Sequence, residues 1–180
     1  MRVELTDEEL QHAESLAEAR LHEPSRRRSP DRPTARNIES QRRGAVGEIA
    51  AARLLREQGF EVVAGFERDA EDECDLKANG LGLEVMTARI AHRHKTGFCV
   101  PPNKLWAAQR RRAIGYIFMG TGPESHPRVV EAQRGVLLEH VDLDPVQSTF
   151  VNNPNSPVDN YVVRPENLIP PEDFFRLFEA

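Results

Sequence analysis

The sequence predicts a mixed α/β fold, in which helices pack on a mixed central sheet. Three observations lead there. Segments with apolar residues at helical spacing alternate with short runs rich in Val, Leu, Ile and Phe, in the order α-β-β-β-α-β-β-α. An Asn79-Gly80 dipeptide lies between two of the short runs, a strong signal for an antiparallel hairpin. The 180 residues suffice for one domain with its own core and are too few for two ordinary ones. The expected organisation is an N-terminal helix and Arg/Pro-rich linker over 1–36, followed by an α/β domain over 37–180.

Thr6 with Glu9 three residues on is a capping-box signature. Leu10, Ala13, Leu16 and Ala17 follow at helical spacing, which predicts a helix over 7–21. Residues 23–35 hold three Pro and four Arg without apolar periodicity, as a linker or arm does. A second helix is expected over 37–58. Val46, Ile49, Ala50 and Leu54 form one stripe, Ala45, Ala52 and Leu55 another, and Gly59 stands at its C-terminal cap. A helix that is apolar on more than one side is packed under something. Residues 60–66 read as a strand, 68–73 as an acidic loop, and 73–78 and 81–88 as the two arms of the hairpin. Residues 101–112 read as a helix, with Pro at its start and Arg at its end, as the helix dipole prefers. A buried strand over 113–120 follows, then one or two strands within 129–141. A short strand and a final docked helix close the chain.

The net charge of −5 discourages a nucleic-acid partner until it is resolved along the chain. Residues 19–43 carry eight Arg against three acids, and 89–112 carry seven Lys or Arg against none. Between them, 61–88 carries eight acids against Arg68 and Lys77. Clustered cations attract phosphate backbones, and an acid patch beside them can hold a divalent ion. A solvated, uneven surface accounts for the same runs. Two Cys exclude a disulfide scaffold and point to a reducing compartment. No apolar run approaches the roughly 18–20 residues that span a bilayer, and the acidic N-terminus lacks the apolar stretch of a signal peptide. A cytoplasmic protein with no membrane partner is expected.

If Asn79-Gly80 is a two-residue turn, Ala78 faces Leu81, Lys77 faces Gly82, and Asp75 faces Glu84. Directly opposed side chains have Cβ atoms about 4.5–5.5 Å apart. Two carboxylates at that spacing repel unless one is protonated or a cation sits between them. A hard divalent cation such as Mg²⁺ suits such oxygen donors. Lys77 falls on the same face. An exposed polar face with an incidental like-charge pair is the alternative. Glu48, in Gly44-Ala-Val-Gly47-Glu48, is a charged residue among small ones in an otherwise apolar helix. The small neighbours permit close approach of a backbone or a phosphate.

Gly47-Glu48 on a helix, then Asp75, eight residues, and Glu84-Val85-Met86 resemble the PD-(D/E)XK nuclease superfamily over roughly residues 41–120. Residues 135–138 and 161–175 resemble the closing portion of small bacterial and phage members. The resemblance implies a restriction-endonuclease-like mixed sheet flanked by helices, with an N-terminal helical arm, and a Mg²⁺-dependent endonuclease that hydrolyses phosphodiester bonds in DNA. Mn²⁺ is expected to substitute for Mg²⁺. Asp75, Glu84 and the Val85 carbonyl would hold the metal, and Glu48 would contribute through the metal or a bound water.

Met86 departs from the pattern, because the family has Lys at that position. Three accounts stand. The cation comes from elsewhere, with Lys77 nearest by register and Lys95 and Lys104 behind it. The protein is a degenerate nuclease that retains DNA binding. Or Met86 is an altered residue in an active enzyme. The retention of Glu48, Asp75 and Glu84 favours the first. DNA contact is assigned to Arg42 and Arg43 and to Arg89, Arg93, Lys95, Lys104, Arg110 and Arg111. Trp106 is expected to pack in the core, with stacking on a base as the alternative. His92 and His94 read as loop residues without a role, with contact to phosphate or a metal as the alternative. Cys74 and Cys99 read as buried thiols. The N-terminal helix either mediates a homodimer or packs on its own domain. A protein-binding domain using the acidic C-terminal third is a further alternative.

Overall fold

A computed structural model of the chain describes residues 1–22, 35–67, 74–91, 98–123, 127–141, 145–148 and 158–179. The linker over 23–34, the acidic loop over 68–73, and the segment with His92, Arg93, His94 and Lys95 lie outside these residues.

The elements are β1 (Arg2–Glu4), α1 (Asp7–His22), α2 (Ala35–Glu57), β2 (Val62–Ala64), β3 (Leu76–Ala78), β4 (Leu81–Arg89), β5 (Cys99–Val100), α3 (Pro102–Arg110), β6 (Ala113–Thr121), β7 (Val129–Leu137), β8 (Pro145–Ser148), β9 (Val158–Val162) and α4 (Pro171–Arg176). The mixed α/β class expected from sequence is what the chain forms. Six strands make a mixed sheet in the order β1-β7-β6-β4-β3-β2. β4 and β6 are parallel, and the other neighbours in this sheet are antiparallel. Parallel neighbours need a crossover, and α3 lies within it. β5, β9 and β8 form a second, three-stranded antiparallel sheet.

Local chemistry sets the helix ends. The Thr6 Oγ1 accepts from the Glu9 N–H at 3.2 Å, and Glu9 Oε2 accepts from the Thr6 N–H at 2.8 Å, so the capping box forms. At the far end of α2, the Gly59 N–H donates to the Arg56 carbonyl and the Phe60 N–H to the Leu55 carbonyl. Gly59 takes φ 89°, the left-handed cap that glycine adopts at least cost.

Two apolar layers sandwich the sheet. Leu76, Leu83, Val85, Ile117 and Met119 face α2, whose Val46, Ile49, Ala50 and Leu54 are buried against them. Tyr116, Phe118 and Val136 face the other way, toward Leu105 and Ala108 of α3. The N-terminal segment is part of the first layer. β1 pairs with β7, and Val3, Leu5 and Ala13 are buried in the same core as α2. Within this chain, α1 packs on its own domain.

Candidate functional site

The hairpin turn forms as its sequence demands. Asn79 and Gly80 take φ 46° and 83°, the positive values of a type I′ turn. The register follows: Ala78 opposes Leu81, Lys77 opposes Gly82, and Leu76 opposes Leu83. The ladder stops one residue short of the expected Asp75–Glu84 pair. Asp75 turns out of the strand and its Oδ2 accepts a hydrogen bond from the Val85 N–H at 2.9 Å. That N–H lies just past the last ladder pair, and the carboxylate takes it instead. Asp75 is thus fastened to β4 beside Glu84, by a side-chain bond rather than by strand pairing.

Glu84 is only 2% exposed, on the α3 side of the sheet. Arg111, at the C-terminal cap of α3, donates from Nη1 to Glu84 Oε1 at 3.3 Å. Burial, then the charge of Asp75, pushes the Glu84 carboxyl pKa up to about 8, against the opposing pull of Arg111 and Lys104. Burial is also the largest influence on Cys74, whose thiol is pushed up to about 11, with Glu84 adding to it.

Glu48 reaches the site from the other layer. It is buried on α2, and Arg20 of α1 grips both its oxygens, from Nη1 to Oε1 at 2.9 Å and from Nη2 to Oε2 at 2.5 Å. Burial and then Asp75 raise its pKa, while Arg20 and Lys104 oppose the rise. Gly47 explains how α2 comes so close to β4. A Cβ there would lie 1.8 Å from Thr87 Oγ1, so only glycine permits this approach. The Gly47-Glu48 step therefore sets the depth at which the carboxylate is buried.

Asp75 acts electrostatically on both Glu48 and Glu84, as does Lys104. These residues form one charged neighbourhood around the end of β3. Among the described residues, no three His, Cys, Asp or Glu side chains are grouped closely enough to hold a metal ion. Glu84, held with its proton by burial and by a neighbouring carboxylate, nevertheless has the chemistry a hard cation relieves. With Asp75 it offers oxygen donors only, the type that suits a hard cation such as Mg²⁺ or Mn²⁺.

The remaining candidates divide into three sets. Arg42 pairs with Glu14 of α1 at 3.3 Å, and Arg43 and Arg89 both pair with Glu39 of α2. Lys104, Arg110 and Arg112 are exposed on or just beyond α3, with Arg112 in the left-handed region at φ 57°. Arg93 and Lys95 lie outside the described residues. Trp106, expected in the core, is 64% exposed on α3, because Leu105 and Ala108 fill that helix's inner face. Met86 is half-buried in the α3-side apolar cluster. Lys77 is half-buried on β3 and acts on Cys74. The cations that act on Glu84 are Arg111 and Lys104. Cys74 is buried and Cys99 is half-buried.

Sequence reasoning missed Arg20 as the partner of Glu48 and Arg111 as a partner of Glu84. Neither pairing has a local signal, since the partners are 28 and 27 residues apart. A cleft of about 310 Å³ between α1 and α2, lined in part by Leu10, Glu14, Arg42 and Val46, includes none of the three carboxylates. No helix among the described residues is long and apolar enough to cross a membrane. No family model matches this chain, and neither a curated protein nor a solved structure matches it.

Proposed function

We propose that this chain is a divalent-metal-dependent endonuclease of restriction-endonuclease-like fold that hydrolyses phosphodiester bonds in DNA. The observation that carries the reading is Glu84. It is a buried carboxylate with a raised pKa, beside Asp75 at the end of a hairpin, with Arg111 and Lys104 acting on it from one helix. Asp75, Glu84 and the Val85 carbonyl would hold the cation. When bound, a Mg²⁺ or Mn²⁺ ion supplies a water of lowered pKa and polarises the phosphate. The chain's own residues do the rest. Arg111 holds the Glu84 carboxylate in place, and Lys104 adds positive charge where a phosphate would lie. Glu48, held by Arg20, keeps a second acid within electrostatic reach of Asp75.

The experiment is direct. Purified chain with Mg²⁺ or Mn²⁺ is incubated with plasmid and branched DNA, beside Asp75→Asn and Glu84→Gln. Cleavage is expected, with loss in chelator and a fall of about 100-fold or more in each variant. Intact DNA across a broad range of metal and pH sinks the reading.

A second reading has its own support. Met86 packs in the apolar cluster and brings no donor to the strand end, which suits a DNA-binding protein with a degenerate site. It predicts salt-sensitive DNA retention that persists in chelator, and cleavage that rises in Met86→Lys.

A further inference from the structure

Tyr116 carries a feature that packing alone does not explain. It is fully buried on β6, and its hydroxyl has no hydrogen-bond partner among the described residues. It is the register partner of Glu84 across the parallel β4–β6 pair. In-register residues of neighbouring strands project to the same face, so the phenol lies on the face that bears Glu84 and Met86. Phe118 follows two residues on, in the same apolar cluster, with its ring stacked against that of Tyr116 at 6.4 Å. Phe118 shows that this layer takes a plain phenyl ring. A buried hydroxyl without a partner carries the full cost of its desolvation. If position 116 served packing alone, phenylalanine would serve it better.

The electrostatics agree with the geometry. Burial first, then the charges of Glu84 and Asp75, hold the phenol above its ordinary pKa. The phenol is therefore a neutral O–H donor at any physiological pH, set against two carboxylates. It lies on the strand next to Met86, where the motif pattern expects a donor and finds none.

We propose that Tyr116 is a positioning residue of the carboxylate site, whose hydroxyl donates to the Glu84 carboxylate, directly or through one enclosed water, when Glu84 carries a divalent cation. The proposal rests on the metal-site reading above. Carboxylates that bind metals are themselves hydrogen-bonded, and those outer partners fix their orientation. Arg111 supplies one such bond from α3, and Tyr116 supplies the second from within the sheet. The site then draws on two donors in place of one lysine, from elements that flank β4.

Tyr116→Phe tests this, because it deletes one oxygen and keeps the ring. Three quantities are measured on the full chain: the thermal midpoint in chelator, the Mn²⁺ dissociation constant by calorimetry, and the DNA cleavage rate at saturating Mn²⁺. The variant is expected to be as stable as the parent or more so, because the lost hydroxyl has no partner among the described residues. Its Mn²⁺ affinity is expected to fall by roughly tenfold or more, and cleavage with it. Phe118→Leu is the control for packing. It lowers the thermal midpoint and leaves Mn²⁺ affinity as in the parent.

A Tyr116→Phe chain that binds Mn²⁺ and cleaves like the parent overturns the proposal. If the parent binds Mn²⁺ and does not cleave, the nuclease reading fails alone and the affinity comparison still decides Tyr116. If the parent binds no Mn²⁺, the metal-site reading falls and this proposal falls with it.

Discussion

Glu84 concentrates the opposing forces of the site in one side chain. Its ordinary pKa is 4.5, and in the folded chain it is about 8. Between those two values, the folded state holds a proton that the unfolded state has released. Stability from this group is fully present below about pH 4.5 and is lost as pH rises through about 8. In chelator, the thermal midpoint is expected to fall between pH 5 and pH 8, and Glu84→Gln is expected to flatten that fall. A thermal-denaturation series over pH decides it, and an equally steep fall in the variant counts against Glu84 as the source. Proton and cation compete for the same oxygens, so Mn²⁺ should raise the midpoint more at pH 8 than at pH 5, and should do little for Glu84→Gln. The two acids of the hairpin were visible in the sequence through the Asn79-Gly80 register. That Asp75 would leave the ladder and take the Val85 N–H was not, because a strand's last pair depends on what competes for its backbone.

At the scale of elements, α2 positions the acid and α1 holds it. Gly47→Ala places a methyl group against Thr87 Oγ1. The helix must then lift from β4, which costs about 1–3 kcal/mol. A drop in thermal midpoint of that size is expected, and an unchanged midpoint means that the helix has room to spare. Arg20→Ala leaves Glu48 buried without its cation. Losing one partner of a buried pair costs about 3–5 kcal/mol when the remaining group stays charged. Because burial already favours protonated Glu48, the variant can shed that charge at low pH. The destabilisation is therefore expected to be large at pH 8 and small at pH 5, and an equal loss at both points to packing by the Arg20 stem instead. Capping box, glycine cap and apolar stripes made α1 and α2 readable from a few neighbouring residues. Their mutual packing was not readable, because the residues between them, 23–34, carry no pattern that fixes a direction.

Across the whole molecule, the basic residues fall into two regions. Arg42, Arg43 and Arg89 are tied to Glu14 and Glu39 on the α1–α2 side. Lys104, Arg110 and Arg112 are exposed around α3, within a stretch from 89 to 112 that has no acid. Trp106 stands among them at 64% exposure. It is the chain's one tryptophan, so selectively excited tryptophan fluorescence reports on α3 alone. Emission typical of an indole in water is expected. DNA at low salt should quench it through base stacking, whereas polyphosphate, which carries charge and no bases, should not. No change in emission at saturating DNA places the contact elsewhere.

The amino-acid sequence by itself determined the α/β class, the spans of the main helices and strands, the hairpin turn with the register of the pairs nearest it, and the uneven charge. These follow from interactions over one to five residues and from the two periodicities of backbone structure. Only the tertiary structure decided which charges meet and which side chains face water. Arg20 grips Glu48, Arg111 holds Glu84, Tyr116 lies beside Glu84 across the parallel pair, and Trp106 points outward. Each depends on which element covers which face of the sheet. That choice is made by burial summed over the whole chain, and no local pattern encodes it.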